Sequence, residues 1–484
     1  MAPHHPWNDN KLREKCGIFG VYGHPEAGAH TALGLHALQH RGQEASGIVS
    51  YDGRVFHAHR GMGHVGDIFS DPTVITQLQG DSAIGHNRYS TQGDTVLRNV
   101  QPIFADLADG GLAIAHNGNL TNALEVRREL VQRGCIFQST MDSEVIVHLI
   151  ATSLASGFMT RLVDALHQLQ GAYSLIILTD QAMIGVRDHF GVRPLTIGAL
   201  DGGTVLASES CALDIIGAKI VRDVEPGEVV VIDKAGIRST KPFGTARSQF
   251  CIFEYIYFSR PDSVVEGRSV YTARKRIGAE LARESGVPCD LVVPVPDSGV
   301  PAAIGYAEEA GVPFELGIIR NHYVGRTFIE PTDSIRHLGV KLKHNANRAT
   351  LAGKRVVLVD DSIVRGTTST KIVQMVREAG AREVHMRVAS PPTTYSCFYG
   401  VDTPKREDLL ASQMGIDAMA THIGADSVCY ITIDGLYRAM GEAPRDDEQP
   451  QFCDACFTGE YPIPLVDRDG GEESSQLSLL AEGA

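Results

Sequence analysis

The sequence predicts a two-part chain of mixed α and β structure, whose carboxyl-terminal part is an α/β domain. Its 484 residues, 43% of them hydrophobic, are enough for about two to four domains with separate cores. Residues 356–359 form a continuous apolar run, which is typical of a strand buried on both faces of a parallel sheet. Residues 236–248 are richer in Lys, Arg, Ser and Thr, and we place the domain boundary there.

The overall charge excludes two classes of partner. The net charge is −14 and the pI is about 5.7, so neither nucleic acid nor an anionic membrane surface is expected to bind. No apolar run approaches the ~18 residues that a membrane span needs, and the amino terminus lacks the apolar core of a secretory signal. We therefore expect a cytoplasmic protein.

The amino-terminal half begins with a polar stretch, residues 1–15, and then changes abruptly to a buried-strand pattern at Cys16. Three polar clusters follow beside apolar runs, at residues 86–91, 115–122 and 141–144. They contain the residue types that an amino-acid substrate needs: Arg88 for an α-carboxylate, Asp142 for an α-amine, and Asn117 with Gly118 for an oxyanion. Taken singly, Cys16 is more often a structural cysteine than a catalytic one, and Asn117-Gly118 favours a type I′ hairpin turn.

These segments, including CGIFG from Cys16 and AHNGNLTN from residue 115, closely resemble the amidotransferases with an N-terminal nucleophile. The resemblance implies a four-layer αββα sandwich over residues 16–245 that hydrolyses glutamine to glutamate and ammonia. It implies that the Cys16 thiol is the nucleophile, with Asn117 and Gly118 as the oxyanion hole and Arg88 and Asp142 as the glutamine-binding residues. In that family the nucleophile is the first residue of the mature chain, so residues 1–15 are expected to be a propeptide. Its removal would free the α-amine of Cys16 to act as a base, since such amines have an ordinary pKa of about 7.7–8.

In the carboxyl-terminal half, the strand at 356–359 is followed by two acids and a hydroxyl-rich loop. These residues are Asp360, Asp361, Arg365, Gly366, Thr367, Thr368 and Ser369. Helix-forming residues come next, so the loop is expected at the carboxyl end of a strand, where α/β folds bind ligands. Backbone N–H groups, hydroxyls and a glycine suit a phosphate, and the paired acids suit ribose hydroxyls or a divalent cation. The alternative is a capped helix beside solvated acids.

Two further segments fit the same hypothesis. A strand expected at residues 291–296 leads into Ser298 and Gly299, which could form a small anion-binding loop or a plain turn. Residues 320–343 hold the main concentration of cations, including Arg326, with Gly and Pro residues typical of a mobile lid. We also expect a helix over residues 269–285.

The loop at 360–369 closely resembles the phosphoribosylpyrophosphate (PRPP) loop of the type I phosphoribosyltransferases. The resemblance implies a second α/β domain over residues 246–466, in which Asp360 and Asp361 contact the ribose and residues 365–369 hold the 5′-phosphate. It makes Ser298 and Gly299 the pyrophosphate loop, Arg326 part of a lid, and Ser298, Asp360 and Asp361 candidate Mg²⁺ contacts. Residues 467–484 are expected to be a disordered tail.

The nine cysteines suggest a metal site more than a disulfide framework. Cys453 and Cys456 form a CxxC motif in a Pro- and Gly-rich segment. Some amidotransferases of this kind carry a [4Fe–4S] cluster, and the resemblance assigns its ligands to Cys251, Cys397, Cys453 and Cys456. The residues alone would suit zinc equally.

The two resemblances together point to the glutamine phosphoribosylpyrophosphate amidotransferase family. They imply that ammonia from glutamine passes internally to C1 of PRPP and gives 5-phosphoribosylamine, glutamate and pyrophosphate. They also imply feedback-inhibiting purine nucleotides and a homotetramer. The alternatives are a glutaminase with a different acceptor and a PRPP-binding regulatory protein without catalysis.

Overall fold

The structure, a computed structural model, describes residues 16–89, 96–108, 110–244, 247–321 and 344–469. Several predicted features lie outside these residues: the propeptide 1–15, Ser90 and Thr91, Arg326 with most of the cationic segment, and the tail beyond residue 469. None of the described helices is long and apolar enough to cross a membrane.

The amino-terminal half is built from antiparallel strands with helices on either side. Its strands are β1 (Gly17–Tyr22), β2 (Ala45–Tyr51), β3 (Phe56–Met62), β4 (Ser82–Arg88), β5 (Ile103–Leu107), β6 (Gly110–Leu120), β7 (Gly171–Thr179), β8 (Met183–Arg187), β9 (Thr196–Leu200), β10 (Gly203–Ala207), β11 (Lys219–Asp223), β12 (Val229–Asp233) and β13 (Gly236–Thr240). Its helices are α1 (Ala27–Ala37), α2 (Val65–Ile68), α3 (Pro72–Gln77), α4 (Ala123–Gln132), α5 (Ser143–Thr152), α6 (Phe158–His167) and α7 (Cys211–Asp214), with a 3₁₀ turn at Leu97–Asn99.

These strands form two sheets that pack face to face. In the described residues, one sheet has the order β11-β9-β10-β1-β4-β2-β3 and the other β13-β12-β8-β7-β6-β5. Ile18 and Ile84 of the first sheet meet Ala113 and Ile176 of the second in one buried cluster. Helices α1 and α7 cover the outside of the first sheet, and α4, α5 and α6 cover the outside of the second. The four-layer αββα sandwich implied by the resemblance is therefore confirmed.

The carboxyl-terminal half contains a parallel sheet and several short elements. Its strands are β14 (Phe250–Cys251), β15 (Val264–Val265), β16 (Arg268–Ser269), β17 (Leu291–Pro294), β18 (Ile318–Arg320), β19 (His344–Ala346), β20 (Arg355–Asp360), β21 (Glu383–Val388), β22 (Ser427–Tyr430) and β23 (Phe452–Cys453). Its helices are α8 (Val270–Ser285), α9 (Val300–Ala310), α10 (Arg348–Leu351), α11 (Thr367–Glu378), α12 (Leu410–Gln413), α13 (Ile416–Ile423), α14 (Ile433–Ala439), α15 (Ala455–Thr458) and α16 (Val466–Asp469), with a π-helix at Glu254–Phe258 and a 3₁₀ turn at Arg406–Asp408.

The parallel sheet confirms the α/β prediction for this half. Strands β17, β20, β21 and β22 are neighbours in that order and run parallel. The apolar run at 356–359 is the fully buried centre of β20, as its composition predicted. Helix α8 begins after Ser269, whose side chain accepts a hydrogen bond from the Thr272 N–H at 3.3 Å.

The end of the described chain returns to the amino-terminal half. The carboxylate of Asp467 accepts hydrogen bonds from the Leu124 and Glu125 N–H groups at 2.9 and 3.1 Å, which caps the start of α4. The Asp467 N–H donates to Thr121 O at 2.9 Å. The predicted start of the tail at residue 467 therefore falls within a short, well-anchored helix, α16.

Candidate active sites

Cys16 lies immediately before β1 in a buried polar region between the two sheets of the sandwich. Its side chain is 5% exposed, its φ is +52°, and its Sγ is 3.8 Å from Tyr89 O. Strands β1 and β4 pair Gly17 with Asn87, so Cys16 comes next to Arg88 at the end of β4. The thiol is thus held at the start of β1, a central strand of the first sheet, beside a buried cation.

Arg88 is the last residue of β4 and is almost fully buried. Burial lowers the pKa of Arg88. The nearby side chains of Cys16, Glu44 and Asp142 raise it, so all three are close enough to interact electrostatically with the guanidinium. Its Nη1 is 3.1 Å from Met141 Sδ, next to Asp142 in sequence. A buried guanidinium of this kind can bind a carboxylate through two parallel hydrogen bonds.

Asp142 precedes helix α5 and contributes a buried anion to the same region. Its Oδ2 accepts the Leu120 N–H at 3.0 Å, its Oδ1 accepts the Ser143 hydroxyl at 3.2 Å, and His116 Nδ1 is 3.7 Å away. Burial alone would raise the pKa of Asp142, but His116 and these hydrogen bonds outweigh it and the pKa is lowered. The carboxylate is therefore ionised at neutral pH and can receive an ammonium group.

Asn117 and Gly118 lie inside β6, paired with Ser174 and Tyr173 of β7, which excludes the hairpin-turn alternative. Gly118 has φ +148°, and a Cβ there would be only 2.0 Å from Ala172 O, so no other residue fits. The Asn117 Nδ2 makes one long hydrogen bond, 3.5 Å, to Ser208 Oγ. Its buried Oδ1 has no hydrogen-bond partner among the described residues. A weakly hydrogen-bonded side-chain amide beside a glycine N–H can supply the two donors of an oxyanion hole.

Sequence reasoning missed two side chains that organise this region. Ser208 Oγ accepts the Ile18 N–H at 3.0 Å and also meets Asn117, so it links β1 to β6. His116 Nδ1 is 2.9 Å from Ser143 Oγ. Neither Ser208 nor His116 has a local sequence pattern that reveals these contacts.

The second site lies at the carboxyl ends of β17 and β20. Asp360 ends β20, and both Asp360 and Asp361 are 2% exposed. The Asp361 N–H donates to Asp360 Oδ1 at 3.0 Å, and the Ser362 hydroxyl donates to Asp361 Oδ1 at 2.6 Å. Gly299 precedes α9, and a Cβ on it would be 2.4 Å from Val359 O, so a glycine is required for the two loops to approach.

The hydroxyl-rich loop starts a helix, as predicted. Gly366 has φ +77° and precedes α11, whose first turn contains Thr367, Thr368 and Ser369. The first N–H groups of such a helix suit a phosphate. Arg365, just before this turn, is about one-third exposed and lies 4.0 Å from Asp408 Oδ2.

A narrow cavity lies beneath this second site. It is lined by Ile256, Arg274, Ile277, Ser298, Ala302, Asp361 and Ala389. Ser298 and Asp361, which are 63 positions apart in sequence, therefore face a common space. The remaining lining is mostly apolar, and Ile256 belongs to the π-helix next to the amino-terminal half.

The structure brings Cys251, Cys397, Cys453 and Cys456 together. Strands β14 and β23 pair Cys251 directly with Cys453. Burial raises the pKa of Cys456, and the other three thiols raise it further, so all four interact. Burial likewise raises the pKa of Cys251 to about 12. Over the described ranges, however, no three His, Cys, Asp or Glu side chains are spaced to hold one metal ion.

A buried ionic network joins the two halves. Arg41 Nη2 is 2.5 Å from Glu254 Oε2, and Arg193 Nη2 is 3.0 Å from Glu254 Oε1. The Arg41 Nε also contacts Glu209, whose Oε2 accepts the Ser263 hydroxyl at 2.7 Å. Glu254, in the π-helix at the junction, therefore supplies a buried carboxylate that binds two arginines of the amino-terminal half.

Two domain families match the sequence in the order of the two sites. A glutamine amidotransferase domain matches residues 86–214, and a phosphoribosyl transferase domain matches residues 263–390. The first covers most of the region around Arg88, Asn117 and Asp142. The second covers both loops at the end of the parallel sheet.

Whole-chain relatives agree with this order. An amidophosphoribosyltransferase from Rhizobium etli is 57% identical, covering 98% of this chain and 97% of its own length. The amidophosphoribosyltransferase of Bacillus subtilis is 48% identical over 94% of this chain and 95% of its own length. The solved structure of the B. subtilis glutamine PRPP amidotransferase with ADP and GMP superposes with a TM-score of 0.88, covering 93% of this chain and 98% of that one at 47% identity.

Proposed function

The chain belongs to the amidophosphoribosyltransferase family, and from that premise we propose how its residues divide the work between two sites. The enzyme is a glutamine-dependent phosphoribosyltransferase: it takes ammonia from glutamine and transfers it to PRPP. The main support for the first site is that five residues come together in one buried region of the amino-terminal half: Cys16, Arg88, Asn117, Gly118 and Asp142.

At the first site, Arg88 holds the α-carboxylate of glutamine and Asp142 holds its α-ammonium. A base takes the proton of the Cys16 thiol as the sulfur forms a bond to the amide carbon, and the carbonyl oxygen becomes an oxyanion held by Asn117 Nδ2 and the Gly118 N–H. The carbon–nitrogen bond then breaks, and the base protonates the departing nitrogen to give ammonia. Water cleaves the resulting thioester and releases glutamate.

The base in this scheme is the α-amine of Cys16, which exists only after residues 1–15 are removed. A peptide nitrogen cannot accept a proton at neutral pH, whereas an α-amine with an ordinary pKa of about 7.7–8 can. Mass spectrometry of the active enzyme should therefore give a chain that begins at Cys16. Full activity in a preparation whose chains all begin at Met1 would disprove the proposal.

At the second site, Asp360 and Asp361 bind the ribose hydroxyls, the first turn of α11 binds the 5′-phosphate, and Ser298 with Gly299 binds the pyrophosphate. The lid role of Arg326 stays a prediction. The residues fit Mg²⁺, because this ion typically binds one or two carboxylates and completes its shell with substrate oxygens and water. Ser298, Asp360 and Asp361 would hold it. When bound, Mg²⁺ neutralises charge on the pyrophosphate leaving group.

We assign the cavity beneath the second site to the internal path of ammonia. Its apolar lining from Ile256, Ile277 and Ala302 would keep ammonia from water, whose protons would remove its nucleophilicity. Ser298 and Asp361 also line this cavity, which supports a connection to the proposed PRPP site. Enlarging the cavity with Ile277→Ala should admit water and uncouple the enzyme, so that less 5-phosphoribosylamine forms per glutamate.

The four converging cysteines fit a [4Fe–4S] cluster. Four thiolates would suit zinc or an iron–sulfur cluster equally, and the choice of iron rests on the family resemblance. When bound, the cluster would supply four covalent links between the segments at 251, 397 and 453–456. Iron content should fall in Cys453→Ser but not in Cys429→Ser, and stoichiometric zinc in the wild type would overturn the assignment.

Regulation and assembly remain predictions. The B. subtilis relative was solved with ADP and GMP, which supports purine nucleotides as feedback inhibitors here. The family resemblance implies a homotetramer, which sedimentation analysis would test, and the sequence predicts a cytoplasmic location.

A direct experiment tests the two-site proposal. Cys16→Ser should lose glutamine-dependent pyrophosphate release and keep the release that is driven by added ammonia. Asp361→Asn should impair both. Pyrophosphate release from glutamine and PRPP by Cys16→Ser at the wild-type rate would refute the role of Cys16.

A further inference from the structure

A loop of the carboxyl-terminal half touches the proposed oxyanion strand of the amino-terminal half. Asn119 Nδ2, one residue after Gly118, donates a hydrogen bond to Phe398 O at 3.0 Å. Gly400 has φ +111° and packs against Gly118 itself. A Cβ built on Gly400 would lie 3.0 Å from Gly118 Cα and 3.2 Å from its carbonyl carbon.

This loop, residues 397–400, is firmly held within its own half. The Cys397 N–H donates to Thr403 Oγ1 at 2.6 Å. The Tyr399 hydroxyl donates to Ile463 O at 2.6 Å and accepts the Ile463 N–H at 2.8 Å. Tyr399 is 2% exposed, so its hydrogen bonds are made away from water. A buried loop held in this way is a rigid surface for whatever packs on it.

Gly118 is confined on two sides. Its own sheet provides one wall, because a Cβ on Gly118 would be only 2.0 Å from Ala172 O in β7. Gly400 provides the other wall from a different part of the chain. The orientation of the Gly118 N–H therefore depends on both halves.

The geometry points to Gly400 and Asn119 as positioning residues for the oxyanion hole, supplied in part by the phosphoribosyltransferase half of the enzyme. This inference rests on the proposed role of Gly118. Neither residue needs to touch glutamine: Gly400 limits how far the Gly118 backbone can move, and Asn119 ties the same strand to Phe398. Oxyanion donors act mainly in the transition state, so their misplacement lowers kcat more than it changes KM.

The test compares Gly400→Ala with Gly236→Ala. Both glycines have φ +111°, but a Cβ on Gly236 meets nothing within 4 Å. Backbone strain is therefore matched, and only the contact with Gly118 differs. Removing an oxyanion donor lowers kcat by about 100- to 1,000-fold. A shift of a few tenths of an ångström in Gly118 should lower glutamine-dependent kcat in Gly400→Ala by roughly 10-fold or more, on the same principle.

Two further measurements on the same variants distinguish a positioning role from a general loss of structure. The KM for glutamine should stay within about twofold of the wild type, because Arg88 and Asp142 are unaffected. The rate of 5-phosphoribosylamine formation from PRPP and added ammonia should also be unchanged. Equal glutamine-dependent kcat in Gly400→Ala and Gly236→Ala, or an equal loss of the ammonia-driven rate, would overturn the inference.

The second contact has its own matched pair. Asn119→Asp keeps the shape of the side chain but loses the donor to Phe398 O, and should lower kcat with an unchanged KM for glutamine. Asn122→Asp loses a donor to Gln168 O at 2.9 Å, a bond within the amino-terminal half. If Asn122→Asp lowers kcat as much as Asn119→Asp, the link between the halves is not responsible.

Cys16→Ser distinguishes failure of this inference from failure of the proposed function. If that variant still hydrolyses glutamine, the assignment of the first site is wrong. If it is inactive while Gly400→Ala behaves like Gly236→Ala, only the positioning role is wrong.

Discussion

Replacing Arg41 by methionine should destabilise the enzyme far more than replacing an exposed arginine. Arg41 is completely buried and is the common partner of two buried carboxylates, Glu209 and Glu254. Methionine fills much of the same space without the charge, which leaves Glu254 with Arg193 and Glu209 with His40. Breaking a buried ion pair by removing one partner costs about 3–5 kcal/mol.

The matched control is Arg283→Met, because Arg283 also contacts two carboxylates but is 56% exposed. Exposed salt bridges of this kind contribute about 0–1 kcal/mol to the free energy of unfolding. Urea denaturation followed by circular dichroism gives the free energy of unfolding for each variant. If Arg41→Met lowers the free energy of unfolding no more than Arg283→Met does, the reasoning is refuted.

The same network has a defined pH dependence. Burial would raise the pKa of Glu254, but Arg41 and Arg193 outweigh it and hold the pKa below its ordinary value of 4.5. A lowered pKa in the folded state stabilises the protein above the unfolded-state pKa, and that contribution is lost as pH falls through the folded-state pKa. The difference in unfolding free energy between wild type and Arg41→Met should therefore be full at pH 7 and shrink below about pH 4.5. A difference that stays constant down to pH 3 would contradict this.

Three other outcomes follow from the sites. Asp142→Asn removes the charged partner of the substrate ammonium and should raise the KM for glutamine about 10- to 100-fold. The ammonia-driven rate should be unchanged. Steady-state kinetics with each nitrogen source would measure both. Gly299→Ala places a Cβ 2.4 Å from Val359 O and should abolish PRPP binding, as measured by calorimetry. The control is Gly415→Ala, because Gly415 lies at another helix start with the same φ of −74° and has open space around it. That variant should bind PRPP normally. Removing Mg²⁺ with a chelator should stop pyrophosphate release but leave slow glutamine hydrolysis, and unaffected pyrophosphate release would count against the metal's role.

Local patterns in the sequence were sufficient to predict the strands and helices that flank both sites. The continuous apolar run predicted β20, because a strand covered on both faces has no polar alternation. The change at Cys16 predicted the start of β1, and the spacing of apolar residues predicted α8. These features depend on a few neighbouring residues, so they can be recognised without the rest of the chain.

Contacts made between layers could not be predicted in the same way. Ser208 reaches Ile18 across 190 positions, and Asn119 reaches Phe398 across 279. No periodicity encodes which strands of two sheets lie opposite each other or which loop covers their edge. The grouping of Cys251 and Cys397 with the CxxC motif likewise came from the family resemblance and not from spacing.

The most direct test of the central claim follows the nitrogen atom through the enzyme. Glutamine labelled with ¹⁵N at the amide is supplied with PRPP in the presence of excess unlabelled ammonium at a pH where free ammonia is scarce. If the site at Cys16 feeds the site at Asp360 internally, nearly all of the 5-phosphoribosylamine should carry ¹⁵N. Product whose label is diluted to the isotope ratio of the surrounding ammonium would show that the two sites do not act together.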